Sequence, residues 1–162
     1  MKAVSNTSPL IFLAKIDRLS ILESLFKKPV LVPVSVLDEL KAGLRPELSR
    51  IENANSLFKF VPVKDGLPGA DFLGKGEQHA MLLAKKTDSD VILLDDKSAR
   101  IIAEALGLRV RGTAGLLLDG LREGYLEYET WRTLITDLVS RHDFRISIEL
   151  YDRMMKEAEK YR

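Results

Sequence analysis

The sequence predicts an α/β fold in which helices cover a central parallel sheet. Short runs of β-branched and aliphatic residues alternate along the chain with amphipathic stretches of helix length, a pattern typical of this class. Length and composition agree, because 162 residues of which 46% are hydrophobic suffice for one domain with a sizeable core. We therefore expect a single α/β unit.

In the first half of the chain, prolines and capping residues mark where the predicted elements begin and end. Ser8 followed by Pro9 predicts the start of a helix over residues 10–16, because proline is favoured at the first helical position. Pro62 falls within the strand predicted over 60–63, so that strand belongs at a sheet edge. The other elements predicted in this half are strands over 2–5 and 30–32 and helices over 20–26, 35–41 and 46–58.

In the second half, a stretch rich in glycine and proline over 64–75 predicts a loop. Residues 91–94 are fully apolar, as expected of a strand that is buried on both faces. Thr113 predicts a cap for a helix over 113–123. Glycine at position 124 divides the expected domain, residues 1–125, from a helical C-terminal extension over 126–162. The other predicted elements are helices over 76–86, 98–106, 130–140 and 147–161 and a strand over 108–111.

Composition excludes several classes of protein. The net charge of +1 lacks the strong positive balance common in nucleic-acid-binding proteins, so any contact with RNA must come from a local patch. The absence of cysteine excludes disulfides, zinc–thiolate sites and thiol nucleophiles. No apolar run approaches the roughly 20 residues that span a bilayer, and the N-terminus lacks the apolar region of a signal peptide. We therefore expect a cytoplasmic protein without a membrane span.

Polar residues follow two predicted strands, at the edge where an open parallel sheet binds its ligands. Asn6 and Thr7 follow the first strand, and Asp95 and Asp96 follow the apolar strand over 91–94. Each also has a purely structural explanation. One aspartate of the pair could cap the following helix, and the N-terminal pair could shape the turn into the first helix.

Two further carboxylates, Glu39 and Glu77, lie in predicted helices. Hard divalent cations prefer oxygen ligands, and a cation offsets the repulsion between clustered carboxylates. Such a cation could activate water and stabilise charge on a phosphate. The structural alternative is a solvated helix face for Glu39 and a favourable interaction with the helix dipole for Glu77. The two histidines, His79 and His142, give no recognisable Ser-His-Asp arrangement.

The order and spacing of four segments resemble the PIN-domain family. The resemblance is to a PIN-like uncharacterised subgroup and, more distantly, to VapC-type toxins, and it covers about residues 1–125. The segments are Val4-Ser5-Asn6-Thr7-Ser8-Pro9-Leu10-Ile11, Val32-Pro33 with Glu39-Leu40, Gly76-Glu77, and Leu93-Leu94-Asp95-Asp96-Lys97-Ser98-Ala99-Arg100, followed by Gly107-Leu108 and Gly112-Thr113-Ala114-Gly115.

The resemblance implies a three-layer sandwich with a metal site at the ends of its strands. Glu39, Glu77 and Asp96 correspond to metal ligands, for Mg²⁺ or Mn²⁺, with the adjacent Asp95 as neighbour or substitute. Asn6 stands where most active PIN nucleases have an aspartate. An amide coordinates a cation through its oxygen but supplies no negative charge, so this position bears on both metal affinity and activity.

The leading hypothesis is a divalent-metal-dependent endoribonuclease, with the toxin of a toxin–antitoxin pair as a candidate role. Its expected partners are single-stranded RNA, an antitoxin protein and further copies of the chain. Thr7, Lys97 and Arg100 are the candidate substrate-binding residues, and no aromatic platform for bases is recognisable. The rivals are a non-catalytic PIN-like module that binds RNA or protein, and a phosphoacceptor receiver. The receiver is the weaker rival, because that class has its acidic pair after the first strand.

Overall fold

Five parallel strands form the central sheet of the protein, which the computed structural model describes over residues 1–162. The strands lie side by side in the order β3-β2-β1-β4-β5, and every pair of neighbours is parallel. The predicted α/β class with a parallel sheet is therefore confirmed. The strands are β1 (Ala3–Ser5), β2 (Val30–Pro33), β3 (Phe58–Val61), β4 (Val91–Leu93) and β5 (Val110–Arg111).

Nine α-helices flank this sheet. They account for most of the chain outside the strands, apart from an irregular segment between β3 and the fifth helix. The helices are α1 (Thr7–Lys15), α2 (Ile21–Phe26), α3 (Val34–Ala42), α4 (Leu48–Asn53), α5 (Lys75–Lys86), α6 (Lys97–Ala105), α7 (Thr113–Arg122), α8 (Tyr128–Arg141) and α9 (Ile148–Ala158).

The sheet divides the apolar interior into two cores, one on each face. Successive side chains of a strand point to opposite faces, so Ala3 belongs to the larger core and Val4 to the smaller one. In β4, Leu93 faces the larger core and Ile92 the smaller. Helices α5 and α6 cover the smaller core, whereas the remaining helices cover the larger one. The result is a sandwich of three layers, helix, sheet and helix.

The segment predicted as one helix over 46–58 is the main error in the predicted elements. Only Leu48–Asn53 is α-helical, and a short 3-10 turn, Asn55–Leu57, follows it. Phe58 already belongs to β3, where it pairs with Val30 of β2 and buries its ring. Pairing with a neighbouring strand outweighs helix propensity at this point. The predicted position of this strand at a sheet edge is correct.

Helix α1 begins two residues earlier than the sequence predicts. Asn6, and not Ser8, precedes its first residue, and the Asn6 side chain makes no capping hydrogen bond. The backbone N–H of Asn6 donates instead to the carbonyl oxygen of Leu93, at 3.2 Å. The amide side chain of Asn6 is therefore free for another role.

The two C-terminal helices pack onto the larger core. Trp131 and Leu138 of α8 are fully buried, and Met154 and Ala158 of α9 join the same cluster as the side chains of α1 and α7. Ser147 is the N-cap of α9, and its hydroxyl accepts a hydrogen bond from the Leu150 N–H. None of the helices combines the length and the apolar character needed to cross a bilayer.

Candidate active site

The candidate site lies where β1 and β4 end side by side. Strand β2 lies next to one edge of β1, and β4, which comes later in the chain, lies next to the other edge. Such a reversal opens a crevice at the carboxyl ends of the two strands, which is where open parallel sheets bind ligands. Asn6 follows β1, and Asp95 and Asp96 follow β4. The strand order thus brings residues from distant parts of the sequence to one edge.

Glu39 of α3 reaches this edge and is held by two other helices. Its Oε2 accepts a hydrogen bond from the hydroxyl of Thr7, at 2.6 Å, and its Oε1 accepts one from the backbone N–H of Gly76, at 2.7 Å. Hydrogen bonds to a carboxylate are short and strong. Thr7, predicted to bind substrate, therefore contacts Glu39 and fixes its orientation.

Gly76 leaves the space that the acidic side chains occupy. A Cβ atom at this position would lie 2.7 and 2.8 Å from the two carboxylate oxygens of Glu39 and 3.0 Å from Oδ1 of Asn6. These separations are shorter than van der Waals contact, so only a glycine hydrogen fits here. The same separations show that Glu39 and Asn6, from α3 and the end of β1, face one point.

The Asn6 side chain is buried and its oxygen has no partner within the protein. Asn6 is 5% exposed, and its Oδ1 makes no hydrogen bond. Leaving a buried acceptor unpaired costs roughly 1–3 kcal/mol, so such groups call for a specific explanation. An amide oxygen that faces a carboxylate without a donor between them fits a site for a cation.

Glu77 begins α5 and is half-buried beside these groups. Its Oε2 accepts a hydrogen bond from the Gly74 N–H at 2.9 Å, and no protein donor reaches Oε1. Burial raises the pKa of Glu77; the Gly74 N–H opposes this rise, and the negative charges of Asp96 and Glu39 add to it. Mutual repulsion of this kind is what a bound cation would relieve.

The adjacent aspartates after β4 have different surroundings. Asp96 is exposed and caps α6, because its Oδ1 accepts a hydrogen bond from the Ala99 N–H at 2.9 Å. Asp95 points instead to Thr113 of α7, whose N–H and hydroxyl each donate to it at 2.7 Å. Burial raises the pKa of Asp95, and the two hydrogen bonds from Thr113 and the charge of Arg100 oppose this shift. Asp95 thus ties the end of β4 to α7.

Several acidic and polar oxygens are suitable for a divalent cation, although no three Asp, Glu or His side chains converge closely enough to hold one together. Mg²⁺ usually keeps several waters and binds through one or two carboxylates. That requirement matches this edge of the sheet. The oxygens without a hydrogen bond from the protein are Oδ1 of Asn6, Oε1 of Glu77 and Oδ2 of Asp96.

The two candidate basic residues lie beside the acidic pair. Lys97 is exposed at the start of α6. Arg100, one turn further along, is half-buried and donates from Nη1 to the carbonyl oxygen of Leu94, at 3.1 Å. Both line a cavity of about 1060 Å³ that also reaches Asp95 and Asp96 but does not include Asn6, Glu39 or Glu77. The basic residues therefore flank the site on the α6 side.

Sequence reasoning missed three contributions to this region. Thr113 was expected to cap α7, but it binds Asp95 and the capping position belongs to Gly112. Ser35 and His79, both buried, join α3 to α5 through a 2.9 Å contact between the Ser35 hydroxyl and Nδ1 of His79. Phe72 is 68% exposed in the irregular segment, two residues before Gly74. Contacts between side chains this far apart in sequence leave no signal in local spacing.

Comparison with known proteins identifies the family of this chain. The family model "DUF3368: PIN domain" matches residues 2–160, nearly the whole chain. Among curated proteins, none gives a match. A solved structure, a PilT N-terminus domain protein from the hyperthermophilic archaeon Sulfolobus solfataricus P2, superposes with a TM-score of 0.59 at 19% identity, covering 75% of this chain and 94% of that one. A domain of a functionally unknown protein from Methanocaldococcus jannaschii superposes with a TM-score of 0.45 at 20% identity, covering 69% and 91% of the two chains. The family model matches nearly the full length of the chain, and the parallel sheet between two helical layers agrees with it. This chain therefore belongs to the PIN-domain family, whose fold is of the nuclease type.

Proposed function

We propose that this protein is a divalent-metal-dependent endoribonuclease and that Asn6, Glu39, Glu77 and Asp96 form its active site. The observation that carries the proposal is the buried Oδ1 of Asn6, which has no partner in the protein and faces the carboxylate of Glu39 across Gly76. A cation is the ligand that satisfies an amide oxygen and a carboxylate at the same point. Membership of the PIN-domain family supports the same chemistry.

The proposed role of each residue follows from the hydrogen bonds that its side-chain oxygens accept. Asn6, Glu77 and Asp96 each offer an oxygen without a protein donor, so they would hold Mg²⁺ or Mn²⁺, either directly or through water. Glu39, whose carboxylate Thr7 and Gly76 hold in place, would be the carboxylate ligand that faces Asn6. When bound, the cation supplies Lewis-acid activation of water and stabilises charge on the phosphate.

The raised pKa of Glu77 has a consequence for the reaction. A carboxyl group whose pKa lies above its usual range holds its proton to a higher pH, and that proton competes with the cation for the same oxygen. Burial is the main cause of the shift, and Asp96 and Glu39 contribute to it. Metal affinity should therefore fall on acidification, at a higher pH than for an ordinary glutamate.

Asp95 has a different role in this proposal. Both of its oxygens accept hydrogen bonds from Thr113, so it would act as a positioning residue that fixes the end of β4 and with it the neighbouring Asp96. It would become a cation ligand only if those hydrogen bonds were shared with the cation. Lys97 and Arg100 would contact the phosphates of the RNA beside Asp96, because both border the cavity that opens there.

The substrate and partners form part of the same proposal. Single-stranded RNA is the substrate, and a toxin role would require an antitoxin protein that blocks the site. Self-association is expected under the same proposal, and the cytoplasm is the compartment in which RNA cleavage would act. The family match supports nucleic acid as the class of ligand.

Cleavage of a mixed single-stranded RNA pool tests the proposal. The purified protein is incubated with Mn²⁺, with Mg²⁺ and with a chelator, next to the Glu77→Gln variant and the control Glu52→Gln, which alters an exposed glutamate of α4. We expect cutting that requires metal, disappears in Glu77→Gln and persists in Glu52→Gln. Undiminished cutting by Glu77→Gln would refute the site.

A non-catalytic module that binds RNA or protein is the second candidate, and one observation favours it. No three acidic or imidazole side chains converge on a common point, and the amide of Asn6 supplies an oxygen without charge. The same experiment separates the two candidates. Folded protein that binds RNA equally well with metal and with chelator, and never cuts it, would establish the binding module.

A further inference from the structure

A large cavity of the protein extends away from the acidic site toward the C-terminal helix. Its volume is about 1060 Å³, at or beyond the upper end of the roughly 300–1,000 Å³ typical of small-molecule sites. Asp95 and Asp96 border it on one side, and residues of α9, from Leu150 to Glu157, border it on another. The segment between α8 and α9, residues 143–147, contributes the rest of that wall. A chain-like ligand longer than one nucleotide fits a space of this size and position.

The positive charges around this cavity fall into two groups. Two arginines are neutralised, since Arg111 pairs with Asp119 at 2.9 Å and Arg122 pairs with Glu157 at 3.2 Å. Four other cations on the wall have no carboxylate within ion-pairing distance. Arg100 is half-buried and donates to the carbonyl oxygen of Leu94, whereas Lys97, Arg145 and Arg153 are exposed.

Unpaired cations on a concave wall favour an anionic ligand. Lys97 comes from α6, beside Asp96, whereas Arg145 and Arg153 come from the other end of the chain. All three are exposed, so their charges are available to a ligand. Phosphates spaced along a strand match separate cations better than one compact anion does.

The same cavity offers apolar surface between its charges. Phe12 and Phe144 meet edge to face, with ring centroids 5.0 Å apart, and both line the wall with Ile146 and Leu150. Single-stranded nucleic acids combine a backbone that follows positive charge with bases that rest on aromatic or apolar surfaces. The mixture of arginines and apolar side chains therefore suits a single strand.

We propose that this cavity, which we call the C-terminal groove, binds the single-stranded RNA that leads to the acidic site, with its phosphates on Lys97, Arg145 and Arg153. The inference rests on the proposed ribonuclease function for its choice of ligand, because the groove opens beside Asp96. An acidic peptide would also satisfy the arginines. Continuity with the acidic edge favours RNA, because a strand in the groove would extend to Asp96 and the proposed cleavage site.

Binding of a fluorescent single-stranded RNA, measured by anisotropy as a function of salt, tests the groove. All proteins carry Glu77→Gln and are assayed in chelator, so cleavage plays no part. The test variant adds Arg145→Ala and Arg153→Ala. The matched control adds Arg132→Ala and Arg141→Ala, which remove two exposed arginines of α8 that do not line the groove. Both double variants lose the same net charge.

The expected result follows from counterion release. Each phosphate contact to a single strand contributes about 0.7 to the slope of log K against log salt, so losing two should lower that slope by about 1.4. At about 0.1 M salt this corresponds to roughly 25-fold weaker binding. The control variant should keep the slope and affinity of its parent.

The outcomes separate this inference from the proposed function. Equal slopes in the two double variants would overturn the groove, whether or not the wild-type protein cuts RNA. An arginine-dependent slope in a protein whose wild type never cuts would uphold the groove and reject the nuclease. If the test variant kept its RNA affinity but lost binding to a poly-glutamate peptide, the groove would be a peptide site and the RNA assignment wrong.

Discussion

Replacing Gly76 with alanine should damage the proposed active site while leaving the fold intact. The added Cβ would lie 2.7 and 2.8 Å from the carboxylate oxygens of Glu39 and 3.0 Å from Oδ1 of Asn6. These atoms end flexible side chains, so they can move away without displacing the backbone. The movement breaks the hydrogen bond from the Gly76 N–H to Glu39 and separates the two groups that face each other across the glycine.

The effect on stability is small because two contributions oppose each other. Losing a hydrogen bond to a charged group costs about 1.5–3 kcal/mol, whereas alanine in a helix is about 0.5–1 kcal/mol more favourable than glycine. The net loss is about 0.5–2.5 kcal/mol. For a protein of this length 1 kcal/mol corresponds to about 2–4 °C in Tm, so the variant should melt a few degrees lower.

The effect on the site should be much larger. Mn²⁺ at about 100 times its Kd stabilises a folded protein by about 2.7 kcal/mol, so wild-type Tm should rise by roughly 5–11 °C. The Gly76→Ala variant should lose most of this rise. Cleavage should fall by about 100-fold or more, because misplacing a catalytic group by about 1 Å has that effect.

Thermal melting with Mn²⁺ and with chelator measures both effects. Gly115→Ala is the matched stability control, since Gly115 is also in the first turn of a helix and its Cβ would meet only the flexible Cδ of Arg111, at 3.4 Å. We expect this control to equal or exceed the wild-type Tm. If Gly76→Ala melted as high as Gly115→Ala and kept the full Mn²⁺ response, the crowded geometry at Gly76 would be wrong.

Three further predictions concern single side chains of the site. Glu77→Gln should make the metal-free protein more stable than wild type at neutral pH and equal to it in acid. Because the pKa of Glu77 is raised in the folded protein, the folded state binds more protons than the unfolded state, and the stability of the wild type falls as pH rises. Melting in chelator at both pH values measures this, and a constant difference would contradict it. Asn6→Asp should lower the metal-free Tm by adding a buried charge beside Glu39 and should strengthen Mn²⁺ binding in calorimetry; unchanged affinity would remove Asn6 from the ligand set. Thr113→Val should lower the free energy of unfolding by about 1–3 kcal/mol, because it leaves an oxygen of Asp95 without its hydroxyl donor. Each kcal/mol should lower Tm by roughly 2–4 °C, so a Tm within about 1 °C of wild type would show that the hydrogen bond contributes nothing.

The features that the sequence predicts well are those that local periodicity and strand order encode. Apolar runs locate β2 and β4, and the pattern of strand followed by helix predicts the parallel sheet. Once β1 and β4 are neighbours, Asn6 and the Asp95–Asp96 pair must meet. The local pattern predicts the wrong structure near Phe58, which lies in the long predicted helix but belongs to β3 in the structure. Pairing with Val30 of the neighbouring strand determines its conformation.

The parts of the site that the sequence does not reveal depend on contacts between distant segments. The residue pattern does not distinguish Asp95 from Asp96, whereas in the structure one binds Thr113 and the other caps α6. The close fit of Glu39 against Gly76 joins positions 37 residues apart. Arg145 and Arg153 lie beyond residues 1–125, which hold the segments that resemble PIN domains, and only the fold brings them into the cavity that Asp96 borders.

The position of β1 in the middle of the sheet determines when the proposed active site can assemble during synthesis. Its neighbour β4 comes much later in the chain: Lys2, just before β1, hydrogen-bonds to Asp90, 88 residues further on. Translation at about 5–20 residues per second needs roughly 4–18 s to cover that distance. Until then the edge of β1 that pairs with β4 is unpaired, and an unpaired strand edge favours aggregation. The proposed active site, which includes residues after both strands, therefore stays incomplete while the ribosome is still translating the first half of the message.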